Sequence, residues 1–166
     1  MKIFLTNIAI FYFGVVTVFG GNLRFSQMEE NDGVEISYHS EGCFHHFTEY
    51  YEVKKSDGKF RFSQFELNFK VMDPITREPQ KRLLGQVLLS EADIKGLDKL
   101  LEYYRGPKNG GSTTSTTLLI EFIENGKKVQ VEKIVDNSGG VDAESEGEIL
   151  NFAEITLRFR SSEVEN

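Results

Sequence analysis

Two dipeptides, Asp57-Gly58 and Asn125-Gly126, each separate two stretches in which apolar and polar residues alternate. Dipeptides of this kind supply the positive φ angles of a two-residue turn whose twist matches that of the strands it joins. They commit the chain to antiparallel hairpins. The first hairpin is expected over residues 47–55 and 59–71, the second over 117–124 and 127–135. In the second, Leu118, Ile120, Phe122, Val129 and Val131 are expected to share the core face, with Glu121, Lys128, Gln130 and Glu132 on the wet one.

The phase of the first hairpin's second arm is less regular. Phe60 and Phe62 fall on even positions, whereas Phe65, Leu67, Phe69 and Val71 fall on odd ones, which a strict period of two would send to opposite faces. A β-bulge at Ser63-Gln64 would return both sets to one side. The register would then pair Val53 with Phe62, Tyr51 with Phe65 and Phe47 with Phe69. Without residues 1–20 the chain has 15 Phe and Tyr, and nine of them lie between Tyr38 and Phe69, so this hairpin is read as the main wall of the core.

Further strands are expected over residues 34–40, where Val34, Ile36 and Tyr38 alternate with polar residues, and over 83–89. The alternation of Ile155, Leu157 and Phe159 with Thr156, Arg158 and Arg160 predicts a last strand. One helix is expected, over residues 89–105. Ser90 is its cap, with Asp93 in the capping-box position. Ile94, Leu97, Leu100, Leu101 and Tyr104 form its apolar stripe, and Gly106-Pro107 stops it. Residues 22–33, 72–82, 108–117 and 136–148 read as loops, the first of them loosely held. The expected fold is α+β: a mainly antiparallel sheet of about six strands built from hairpins, with one helix packed across a face, forming a single domain over residues 21–166.

Lys2 followed by the almost wholly apolar run 3–19 reads as a signal peptide over residues 1–20, cleaved after Gly20. An uncleaved anchor is the alternative, since 17 residues lie at the short edge of a bilayer span. The expected destination is the periplasm or the cell exterior, with no stable membrane insertion after cleavage. Removing the leader, which holds one basic residue and no acidic one, leaves 18 Lys and Arg against 26 Asp and Glu. That excess of acid argues against nucleic acid and anionic membrane surfaces as partners.

The stretch from Tyr38 to Tyr51 holds the only cysteine and all three histidines. Imidazole and thiolate together suit a transition metal such as zinc or copper. The candidate ligands are His39, Cys43 and His45, with Glu41 or water completing the shell. The competing expectation is that Cys43 is a small buried side chain and that the histidines decorate a turn. Cysteine nucleophile chemistry is not favoured, because catalytic Cys and His usually come from separate segments. No GxSxG or phosphate-binding frame is present. Nor does a calcium loop starting at Asp136 fit, since Val141 and Gly147 occupy positions that demand Gly and Glu. The sequence therefore favours a binding or interaction module for a protein or small ligand over a metal-dependent protein or enzyme.

Overall fold

The computed structural model describes residues 23–74, 77, 79–107, 110–138 and 150–162; of residues 160–162 only the backbone is considered. The residues where a signal peptide and its cleavage site are expected lie outside them, as does most of the acidic stretch 136–148. Six strands form one antiparallel sheet: β1 (Gly33–Gly42), β2 (His45–Ser56), β3 (Lys59–Met72), β4 (Pro79–Leu89), β5 (Ser115–Glu124) and β6 (Lys127–Asp136). Their spatial order is β4-β3-β2-β1-β5-β6. Helix α1 (Glu91–Arg105) carries the chain from edge strand β4 back to β5, beside β1 at the centre. A second helix, α2 (Phe152–Ser162), follows β6.

Local chemistry explains several of these elements. Asp57 and Gly58 take φ of 53° and 69°, and Asn125 and Gly126 take 50° and 75°, as the two tight turns require. The hydroxyl of Ser90 accepts the Asp93 N–H at 3.2 Å, while the Asp93 carboxylate accepts the Ser90 N–H at 2.8 Å, which completes the capping box of α1. Its stripe of Ile94, Leu97, Leu100, Leu101 and Tyr104 is buried against the sheet, in one cluster with Val34, Ile36, Val53, Phe62, Leu118, Ile120 and Phe122.

The last element departs from expectation. Residues 155–159 lie in helix α2, not in a strand. Phe152, Ile155 and Phe159 stand three and four residues apart and share one helical face, and both Phe152 and Ile155 are buried. Phe152 stacks on Tyr51 at 4.9 Å between ring centroids. Arg158 joins the two helices through a two-pronged ion pair with Asp93, at 2.9 and 2.8 Å. That guanidinium, helped by the Ser90 N–H and hydroxyl, holds the Asp93 carboxyl down at about 2.

The bulges also sit elsewhere than expected. β2 and β3 pair in unbroken register from Ser56–Lys59 to Tyr50–Phe65, so Val53 faces Phe62 as expected, but Tyr51 faces Gln64. No bulge occurs at Ser63-Gln64; the irregularity lies on the partner strand, where Leu84 is the extra residue between Gln64–Gly85 and Phe65–Leu83. Phe62 and Phe65 therefore lie on opposite faces. In the second hairpin Val129 is extra, and Phe122 faces Gln130. That slip of one residue turns Val131 and Val135 outward and brings Gln130, Glu132 and Ile134 to the helical side. Glu132 there accepts from Arg105 at 2.6 Å, and a second nitrogen of Arg105 donates to the Leu23 carbonyl at 2.9 Å.

Two expected loops are largely structured. Of the loop expected over 72–82, Met72 ends β3 and residues 79–82 belong to β4. The segment 22–33 is held in place. Phe25 and Met28 enter the core, the buried Asp98 carboxylate accepts the Phe25 N–H at 2.6 Å, and Glu30 accepts the amides of the Asp57-Gly58 turn. None of the described helices is long and apolar enough to cross a membrane.

Candidate functional site: the sheet face opposite the helices

Both helices pack on the even-numbered side chains of β1, β5 and β3. Among the described residues, no helix covers the opposite face. That face presents Glu35, Ser37, His39 and Glu41 from β1, with His46, Thr48, Tyr50 and Glu52 from β2. Phe65, Leu67 and Phe69 of β3 and Lys81 and Leu83 of β4 extend it, and on its far side stand Glu121, Val131 and Val135. Several of its apolar members are well exposed to water, among them Phe69, Leu83, Leu88, Val131 and Val135.

A cleft of about 170 Å³ opens in this face over the middle of β1, β2 and β3. Tyr50, Phe65 and Leu67 give it apolar walls, with Pro79 at one end. Glu35, Glu52 and Glu121 contribute three carboxylates against the single ammonium of Lys81, which Glu35 already engages. Lys128 pairs with Glu121, and among the described residues no cation pairs with the lining carboxylate of Glu52. The arrangement suits a ligand with an apolar body and a positive group.

At the β1–β2 end of the same face stands a second cluster. Glu41 faces His46 across the ladder, and His39 faces Thr48. The ligand atoms of His39, Glu41 and His46 all lie within 4.8 Å of one another. The His39 and His46 rings meet edge to face with centroids 4.8 Å apart.

Of the expected ligands, His39 and the shell-completing Glu41 belong to this cluster, whereas Cys43 and His45 do not. Cys43 lies with Phe44 in the two-residue turn beyond the last ladder pair, Gly42–His45, and it is exposed, not buried. Its aromatic neighbour Phe44 is wholly exposed and Phe47 is 42% exposed. His45 belongs to the other face, where its Nε2 lies 3.0 Å from the Ser40 hydroxyl. A side chain at Gly42 would meet the His45 ring at 2.6 Å, so glycine is what lets that ring fold back over the strand.

Protein-family models, curated proteins and solved structures were all compared with the chain, and none matches it. The site therefore rests on its own geometry.

The strongest perturbations of acidity lie away from this face. Burial pushes the Tyr51 and Tyr104 hydroxyls well above their ordinary range, and for Tyr51 the hydrogen bond it donates to Glu49 at 2.6 Å adds to the effect. Both tyrosines are core residues whose polar ends find partners, a structural arrangement common in packed interiors. Asp136 is buried too; one carboxylate oxygen accepts from Ser138, while the other has no partner among the described residues.

The cleft residues Tyr50 and Lys81 were not singled out from sequence, and Phe65 was expected on the core side. A signal was present. The odd-numbered run Phe65, Leu67, Phe69 and Val71 is a second apolar stripe, and it belongs to the second face.

Proposed function

We propose that this chain is an exported binding module whose ligand surface is the helix-free face of the sheet. The observation that carries the reading is the cleft between Tyr50, Phe65 and Leu67, walled by aromatic and aliphatic side chains and rimmed by Glu35, Glu52 and Glu121. A ligand joining an apolar body to a Lys-like or Arg-like cation satisfies both features. The acidic balance of the whole chain would favour its approach.

Panning a displayed library of random peptides on the untagged protein tests this. The expected return is sequences in which Lys or Arg neighbours Leu, Phe or Tyr. Those peptides should bind at least tenfold more weakly after Tyr50→Ser or Glu52→Gln, with the melting temperature little changed. Enrichment of acidic peptides, no enrichment, or binding indifferent to both substitutions would sink the reading.

Export rests on Lys2 and the apolar run over residues 3–19. The intact mass of the natural product should correspond to a chain beginning at Gly21. A product retaining residues 1–20 would make it an anchored protein instead.

A further inference from the structure

We propose that His39, Glu41 and His46 form a binding site for a divalent first-row transition metal of the zinc class, independent of the cleft. The ladder creates the site. On strand β1, His39 and Glu41 are two residues apart and so point the same way. The antiparallel register sets His46 directly opposite Glu41, and His39 lies on the diagonal, within reach of long side chains. Three ligand atoms from two adjacent strands thereby converge within 4.8 Å. Ligands of one tetrahedral ion at about 2.0–2.2 Å stand roughly 3.3–3.6 Å apart. Glu41 and His46 are exposed, which leaves their side chains room to turn toward a shared ion.

The His39 ring is already oriented. Its Nδ1 lies 2.9 Å from the Thr48 hydroxyl, and its Nε2 is directed at Glu41, 3.8 Å from a carboxylate oxygen. A hydrogen bond to one ring nitrogen that leaves the other for the metal is the usual outer-shell arrangement of a ligating histidine. Two imidazoles and one carboxylate suit zinc, copper or nickel, whereas calcium and magnesium prefer oxygen alone. With three protein ligands on an open face, the fourth position of a tetrahedral ion falls to water or to a ligand's donor atom. Cys43, at the turn tip, and His45, on the other face, take no part.

Calorimetric titration of the tag-free, full-length, chelator-treated protein with zinc chloride tests the proposal. One equivalent should bind. His39→Ala and His46→Ala should each weaken binding at least tenfold, and Thr48→Val should weaken it about tenfold by releasing the His39 ring. Cys43→Ser and His45→Ala should leave it unchanged. Cobalt(II) in place of zinc should give visible d–d bands without a thiolate charge-transfer band. Because these side chains lie outside the core, the melting temperature of each metal-free variant should match the parent, which separates lost ligation from lost folding. Absence of stoichiometric binding, or binding that survives both His39→Ala and His46→Ala, would overturn the site. So would dependence on Cys43 or His45. Phe65→Ser, which alters the cleft alone, should not affect zinc.

Discussion

Phe62→Ala is expected to destabilise the fold by about 3–5 kcal/mol, and Phe65→Ala by roughly 1 kcal/mol. The two rings sit three residues apart on one strand, and their difference comes from the face each occupies. Phe62 is 0% exposed, with ring centroids 5.2 Å from Tyr51 and 6.2 Å from both Phe152 and Phe159. Removing it opens a void between the sheet and α2 that close-packed neighbours fill only in part. Phe65 is partly exposed on the opposite face, where it pairs with Leu83 and walls the cleft. Its truncation loses only partial burial and leaves no sealed cavity. Urea denaturation with a common m value measures both costs. Similar large losses would restore a bulge at Ser63-Gln64 and return Phe65 to the core, which would also remove a wall of the proposed binding cleft.

The parts of the fold that could be read from sequence are those whose signals are local. Asp57-Gly58 and Asn125-Gly126 require positive φ, and only hairpin turns use two such residues in this context. Ser90 and Asp93 mark the start of α1 whatever lies around them. Bulges carry no comparable signature, since Leu84 and Val129 are ordinary apolar residues in apolar strands. One unseen extra residue inverts the faces of everything beyond it. This is why Val131 was assigned to the core and Glu132 to solvent, when Glu132 in fact meets Arg105. The core position of residues 23–32 was equally hidden. It depends on Asp98, some seventy residues away in sequence, accepting the Phe25 amide.

The candidate metal site was half legible for a related reason. The crowding of His39, Glu41, Cys43, His45 and His46 was evident, but Cys43 and His45 were expected as ligands, with His46 left out. The chain reverses at Cys43-Phe44, so alternation restarts on β2 and His46, not His45, comes to the side of His39. An antiparallel ladder brings together residues whose numbers have a constant sum. Within this hairpin the partners of Glu41 and His39 are fixed once the turn is located. The cleft was obscured differently. Phe65, Leu67 and Phe69 were assumed to share the only apolar face, whereas this sheet has two.

Ile155→Ala is expected to cost about 2–5 kcal/mol, and Leu157→Ala less than about 0.5 kcal/mol. In a strand these residues, two apart, would share a face and suffer alike. In helix α2 they lie about 200° apart around the axis. Ile155 is 0% exposed in the core cluster, and Leu157 is 63% exposed. The helical reading has its own local support, since the Asn151 side chain accepts the Glu154 N–H at 2.9 Å and Glu154 reaches back to the Asn151 N–H at 3.3 Å. This reciprocal cap is a sequence signal that the alternation of Ile155, Leu157 and Phe159 masked. Chemical denaturation of the two variants decides between the readings. Equal losses would identify a strand and strip the cover from Tyr51 and Phe62, whose rings meet Phe152 on the same helix. The unequal result assigns α2 to the helical side of the sheet. Because α2 touches the face away from the cleft, Ile155→Ala should lower stability while leaving peptide affinity at Tyr50 and Phe65 intact wherever the protein remains folded.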